Sequence, residues 1–146
     1  MSNDQILSNA DITIKRLEEI FANAGFKTES FENRIVINHE GTVASVYLRS
    51  DVISIFTSFQ VKPEVNIDDF KDKILELNSA HSLSNSSLNE AKNKLVISMT
   101  YLTSVGVYIP HFIFTINGYF AFQTINFKKN RLLRIHRVRV RYDKPY

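Results

Sequence analysis

Residues 34–59 constrain the fold more than any other stretch of this 146-residue chain. Apolar and polar residues alternate in three consecutive runs, and a period of two is typical of β-strands that turn one face toward a core. Gly41 supplies a positive φ for the first turn, and Ser50 and Asp51 form a polar second turn. The expected core-facing residues are Ile35, Ile37, Ala44, Val46, Leu48, Ile53, Ile55 and Phe59. The stretch therefore predicts three antiparallel strands.

The opposite face of these strands is less polar than an ordinary solvent-exposed face. Val43, Tyr47, Val52 and Phe56 alternate there with polar residues. Two interpretations are open. The face is a partner-binding apolar surface, or the first or last helix packs on it, and we favour the covering helix from the way that layers pair.

Two amphipathic helices flank the strand run. The first is expected to begin between Asp4 and Asp11 and to end near Ala24, where Gly25 suits a C-terminal cap. The second is expected to begin after Asn66 and to end near residue 81, since Asn66 is a good N-cap and apolar residues follow at helical spacing.

The remainder of the predicted domain is less regular. Residues 79–89 are rich in serine and asparagine and predict a loop or a short edge strand, whereas residues 94–102 alternate as a strand. For residues 107–127, Asn117-Gly118 favours a hairpin, while an apolar stripe and Pro110 favour a helix. The residue pattern alone favours the hairpin.

Three segments carry a family resemblance: ITIKRLEEIFANAGFK at 12–27, the strand run at 34–59, and FKDKILELN at 70–78. In this order they resemble the YbjN family of proposed bacterial sensory transduction regulators, whose fold is similar to that of type III secretion chaperones. The resemblance covers about residues 10–127 and implies an α+β fold of order α-βββ-α-ββ-α, an antiparallel sheet flanked by helices. It also implies a last helix from about Pro110, which we adopt over the hairpin.

The composition predicts one globular domain, residues 1–127, with 44% hydrophobic and 23% charged residues. The chain has no cysteine, which excludes disulfides, thiolate zinc sites and cysteine nucleophiles and fits a reducing compartment. The N-terminus lacks the pattern of a secretory signal, so we expect a cytoplasmic protein. Residues 95–127 contain no Asp, Glu, Lys or Arg, but polar residues interrupt the stretch and we expect no membrane span.

No motif for catalysis, a metal or a cofactor is visible, so we expect neither an enzyme nor a cofactor. The four histidines are dispersed at positions 39, 81, 111 and 136, without the spacing of metal ligands. The carboxylates at 68, 69 and 72 lie in the first turns of a helix, where acids complement the helix dipole. Four glycines cannot assemble a phosphate-binding loop.

Residues 128–146 form a basic C-terminal tail, which departs from the family pattern. The tail holds eight Lys/Arg against one acid, a net charge of +7, while the rest of the chain holds ten basic and fourteen acidic residues, a net charge of −4. Three interpretations of the tail are open: a solvated end, a strand that swaps onto a partner, or an anion contact. The last is open because arginine binds phosphate bidentately. The candidate contact residues are Arg131, Arg134, Arg137, Arg139 and Arg141.

The sequence and the resemblance together predict a non-enzymatic protein-binding module, chaperone-like or regulatory, with an unidentified client protein. The resemblance also implies a homodimer. The alternative function is association with nucleic acid or another anionic surface through the basic tail.

Overall fold

The computed structural model describes residues 5–81, 83–128 and 135–137. The helices within these ranges are α1 Ile14–Asn23, α2 Ile67–Ala80 and α3 Ile109–Gln123. The strands are β1 Ile6–Leu7, β2 Lys27–Ser30, β3 Arg34–His39, β4 Thr42–Arg49, β5 Val52–Val61, β6 Asn85–Leu88, β7 Lys94–Leu102, β8 Val107–Tyr108 and β9 Ile135–Arg137. This α+β architecture with an antiparallel sheet confirms the predicted fold class.

The sheet is built on the three consecutive strands that the alternation predicts. β3, β4 and β5 pair antiparallel in chain order, and the sheet runs β2-β3-β4-β5-β7-β6, with β9 also paired to β5. At the turn from β3 to β4, Glu40 and Gly41 have φ values of 50° and 88°. Two successive positive φ values match the twist of a tight hairpin. β1 and β8 form a separate two-stranded ribbon.

The first helix begins later than predicted. Its N-cap is Thr13, whose hydroxyl accepts a hydrogen bond from the backbone N–H of Arg16 at 3.1 Å. A 3-10 turn at Asn9–Asp11 occupies the stretch where we expected the start, so that prediction is wrong. The end is as predicted, because Gly25 follows the helix with a φ of 92°, a conformation that glycine adopts without strain.

The second helix begins where predicted and closes one edge of the sheet. The Asn66 side chain accepts a hydrogen bond from the backbone N–H of Asp69 at 3.1 Å, which satisfies one of the unpaired donors of the first turn. Near the other end, the Asn78 amide bonds both the N–H and the carbonyl of Ser86 in β6, each at 2.8 Å. Asn78 thus takes the place of a neighbouring strand, a way of protecting an open edge.

The last segment is a helix, which confirms the choice that the resemblance implied; the hairpin that the residue pattern favoured is wrong. Asn117 and Gly118 lie inside α3, and Pro110 lies in its first turn, where its missing N–H costs no hydrogen bond. One side of α3 is buried, at Phe112, Thr115, Ile116, Tyr119, Phe120 and Gln123. Burial of that side outweighs the local preference of Asn-Gly. None of the helices described is long and apolar enough to cross a membrane.

The described helix contacts lie on one face of the sheet, which we call the inner face. Phe112 of α3 packs against Tyr101 of β7 and Phe21 of α1, with ring centroids 5.0 and 5.6 Å apart. Tyr119 of α3 contacts Thr57 of β5. The buried strand residues on this face include Ile35, Ile37, Val46, Ile53, Ile55, Leu95 and Ile97, each at most 1% exposed. The favoured interpretation that the first or last helix covers the opposite face is therefore wrong for the described residues.

Of the predicted tail, the structure describes Lys128 and the strand β9. Ile135–Arg137 pair antiparallel with residues 59–61 of β5, in the register Phe59 to Arg137. Three residues of the predicted tail thus belong to the sheet. β9 pairs with β5 of the same chain. The predicted domain boundary at residue 127 stays a prediction.

Candidate functional site

The predicted partner-binding residues lie on the sheet face that is opposite to the described helix contacts, which we call the outer face. Val43 and Tyr47 are on β4, and Val52 and Phe56 are on β5. Their neighbours along the strands are buried on the inner face, and successive residues of a strand point to opposite sides. Period-two alternation therefore assigned these four residues to the correct side of the sheet.

The four residues are half-buried, and two of them are in contact. The rings of Tyr47 and Phe56 meet edge to face with centroids 5.9 Å apart. Such edge-to-face pairs contribute more than their buried area alone. The aromatic pair therefore lies at the centre of an apolar region of the outer face.

Leu102 extends this surface, and it was missed in the sequence. It is paired with Val52 across β5 and β7, so the two side chains lie on the same face, and Leu102 is 67% exposed. Its alternation with the buried Met99 and half-buried Tyr101 in β7 was visible in the sequence. What was not visible was that β7 pairs with β5, because β6 and α2 separate these strands along the chain. We name Val43, Tyr47, Val52, Phe56 and Leu102 the apolar patch.

Four basic residues lie on the same face of the sheet as the apolar patch. Arg34 is paired with Tyr47, and Arg49 is paired with Val52, each across neighbouring strands. Lys27 of β2 and Lys94 of β7 lie on the same face by register. We name Lys27, Arg34, Arg49 and Lys94 the basic rim. In the described part of the chain none of them forms a salt bridge, and the Arg34 guanidinium lies 4.8 Å from the centre of the Phe31 ring.

The tail arginines remain predictions as contact residues. Arg131, Arg134, Arg139 and Arg141 lie outside the described residues, and Arg137 is described only by the backbone pairing of β9. That pairing places the backbone of Ile135–Arg137 next to residues 59–61 of β5.

The three histidines with described side chains, His39, His81 and His111, contact different partners. His39 contacts the rings of Phe26 and Phe120, and the ring of His111 hydrogen-bonds the Tyr101 hydroxyl at 3.0 Å. His81 packs edge to face on Phe122 in another part of the molecule. Among the described residues there is no group of three or more histidines and carboxylates that could hold a metal ion.

Among the described residues, the pKa that departs furthest from its usual value belongs to a core phenol. Tyr119 is fully buried, and its hydroxyl lies 2.8 Å from the Thr57 hydroxyl and 2.9 Å from the carbonyl oxygen of Ile97. Burial raises the pKa of Tyr119 far above its usual value, and the hydrogen bonds to Thr57 and Gln123 offset only part of that effect. A phenol that stays protonated this strongly is a poor general base at neutral pH. We therefore interpret the hydrogen-bonded cluster of Tyr119, Thr57 and Gln123 as a structural part of the core.

A second uncharged surface lies on the outward side of α3. Phe114 is 76% exposed and Ile125, just beyond the helix end, is 65% exposed. The exposed side as a whole has no Asp, Glu, Lys or Arg; its members are Pro110, His111, Phe114, Asn117, Ala121 and Ile125. Exposed apolar residues in a continuous stripe are typical of contact surfaces.

Comparison with known proteins identifies the fold. No family model matches the sequence, and no curated protein matches it. The E. coli protein YbjN, a candidate transcription regulator, has a similar structure with a TM-score of 0.69 over 82% of this chain and 90% of YbjN, at 13% identity. The fold is YbjN-like.

Two further structures share the YbjN-like fold. An uncharacterized protein from Methanothermobacter thermautotrophicus has a TM-score of 0.59 over 78% of this chain and 93% of its own, at 15% identity. The HopA1-SchA chaperone-effector complex has a TM-score of 0.57 over 75% of this chain and 88% of the matched one, at 6% identity. The predicted YbjN-like and type III secretion chaperone-like fold is confirmed, and at these identities the likeness concerns the fold alone.

Proposed function

We propose that this protein is a non-enzymatic binding module that holds a client protein on the apolar patch of its outer face. The observation that carries the proposal is that the described helix contacts lie on the inner face, whereas on the outer face Leu102 is 67% exposed and Tyr47, Val52 and Phe56 are only half-buried. Exposed apolar patches on a sheet are typical of protein interaction sites. The chaperone-like fold and the cytoplasmic location expected from the sequence are compatible with this role.

Removing apolar side chains from the patch is expected to weaken client binding. In the full chain, Phe56→Gln combined with Leu102→Gln should lower client recovery at least about tenfold, because aromatic and large apolar anchors supply most of the affinity of an interface. The measurement is affinity capture from lysate with and without nuclease treatment, followed by titration of the purified client against each variant.

Leu75→Gln is the matched control, since Leu75 is 65% exposed on α2, on the helical side of the molecule. It should leave client binding unchanged, and circular dichroism should show that all variants are folded. A client that binds the patch variant as tightly as the wild type would contradict the proposal. A partner lost only on Arg139→Gln with Arg141→Gln, or after nuclease treatment, would favour the nucleic-acid alternative.

The protein is also proposed to form a homodimer, and the outward side of α3 is the surface suited to it. A two-fold interface sets a patch against its own copy, so charges within the patch meet like charges. The outward side of α3 avoids this repulsion because it has no Asp, Glu, Lys or Arg around Phe114. The basic rim of the outer face does not share that property.

A charge placed on α3 is expected to dissociate the dimer. Phe114→Glu should raise the dissociation constant at least about tenfold, because each copy would bury an unpaired carboxylate against the other. The measurement is light scattering across micromolar concentrations, with Leu75→Glu on α2 as the control. A monomeric mass for the wild type at all concentrations would refute the homodimer.

A further inference from the structure

The charges of the sheet are distributed unevenly about the apolar patch. Across the described strands β2 to β7, the outer face carries the four lysines and arginines of the basic rim but only one carboxylate, Glu29. α2, on the helical side, carries four acids and two lysines. The face that has the apolar patch is therefore positive, while the domain outside the tail has a net negative charge.

We propose that the outer face selects an acidic amphipathic segment of the client, whose apolar side chains cover the apolar patch and whose carboxylates pair with the basic rim. The inference rests on the proposed function and adds the chemistry of the partner. Arg34 and Arg49 are placed to pair with such carboxylates, because strand register sets Arg34 beside Tyr47 and Arg49 beside Val52. Charge complementarity at a rim supplies selectivity and faster association, and the apolar centre supplies affinity.

The composition of the patch favours a peptide over a single-stranded nucleic acid. Base stacking needs aromatic rings with free faces. The two rings here, Tyr47 and Phe56, contact each other edge to face, and the rest of the patch is aliphatic: Val43, Val52 and Leu102. Aliphatic side chains pack well against leucine, isoleucine or phenylalanine of a peptide and give a base little to stack on.

The test is selection of random 12-residue peptides displayed against the immobilised full chain. Enriched sequences should combine apolar residues with Asp or Glu. The affinity of a selected peptide should fall about tenfold on Arg34→Glu with Arg49→Glu, because two attractions become repulsions. Arg34→Gln with Arg49→Gln should lower the affinity by a smaller factor. This neutral variant keeps the test valid if Arg34→Glu with Arg49→Glu does not fold. Lys15→Glu with Lys71→Glu changes the net charge equally on the helical side and should leave the affinity unchanged.

Three results would overturn the inference. Enrichment of neutral or basic peptides, or no enrichment at all, would contradict the proposed preference for acidic segments. Selected acidic peptides that are insensitive both to the arginine substitutions and to Phe56→Gln would be binding elsewhere, the basic tail included. A 12-nucleotide oligouridine that binds the wild type and is lost on Arg34→Glu with Arg49→Glu would assign the face to nucleic acid. If peptides depend on Phe56 but not on the arginines, the client-binding function stands and only the acidic preference fails.

Discussion

Replacing Phe112 by alanine is expected to lower the free energy of unfolding by about 3–5 kcal/mol, the usual cost of removing a fully buried phenylalanine ring. Phe112 is 0% exposed and contacts Phe21 of α1 and Tyr101 of β7. Phe112 therefore packs its own helix, α3, against both α1 and strand β7 of the sheet. Urea unfolding followed by circular dichroism measures the loss.

Leu75→Ala is the control for this substitution. Leu75 is an exposed apolar residue in a helix, and its truncation should change the free energy of unfolding by no more than about 0.5 kcal/mol. A loss below about 1 kcal/mol for Phe112→Ala would mean that α3 does not pack on the inner face, and the assignment of the helix contacts to that face would then fail.

Replacing Tyr119 by phenylalanine is expected to lower the free energy of unfolding by about 2 kcal/mol at pH 7, since buried hydrogen-bond partners are left unsatisfied. The phenol bonds the Ile97 carbonyl and the Thr57 hydroxyl, and both residues are buried. A carbonyl oxygen accepts only, so the single phenol proton is best placed toward Ile97 and the Thr57 hydroxyl can donate to the phenol oxygen. Chemical denaturation of the two proteins gives the difference.

The stabilising effect of Tyr119 should become smaller in alkali. Burial raises the pKa of Tyr119 in the folded protein, whereas in the unfolded chain the pKa is about 10. Above that pH the unfolded chain loses the proton and the folded protein keeps it, so the free energy of unfolding falls by about 1.4 kcal/mol per pH unit. The advantage of the wild type over Tyr119→Phe should thus shrink to below about 1 kcal/mol at pH 11.

Tyr108→Phe is the control at pH 7, because Tyr108 is 46% exposed and should lose little stability. A difference between wild type and Tyr119→Phe that stays constant from pH 7 to pH 11 would show that the phenol is not held protonated in the core. That outcome would place Tyr119 in contact with solvent and reopen a chemical role for its cluster.

The candidate site was predictable from the sequence only in part. Val43, Tyr47, Val52 and Phe56 were assigned correctly to one face, because alternation along a strand is a local property of the backbone. Leu102 completes the patch through the pairing of β7 with β5, and no local pattern specifies which strands become neighbours. The basic rim has the same origin, since its members come from strands β2, β3, β4 and β7.

The last segment shows how local and global preferences compete. Asn117-Gly118 is a strong hairpin signal in isolation, and its local pattern was misleading. Helix α3 forms because the side with Phe112, Ile116 and Phe120 finds a complementary surface on the inner face. Most of the stability of a helix in a protein comes from such packing and not from the propensity of its residues.

The sequence by itself determined the three central strands, the cap of α2 at Asn66, the separation of a basic tail from an acidic domain, and an α+β class. These features depend on neighbours a few residues apart, through side-chain alternation, capping hydrogen bonds and charge. Only the tertiary structure decided that the described helix contacts lie on the inner face and that Leu102 and the basic rim share a face with the rest of the apolar patch. Those relations depend on contacts between residues far apart in the chain, whose free energy is gained only when the whole sheet is assembled.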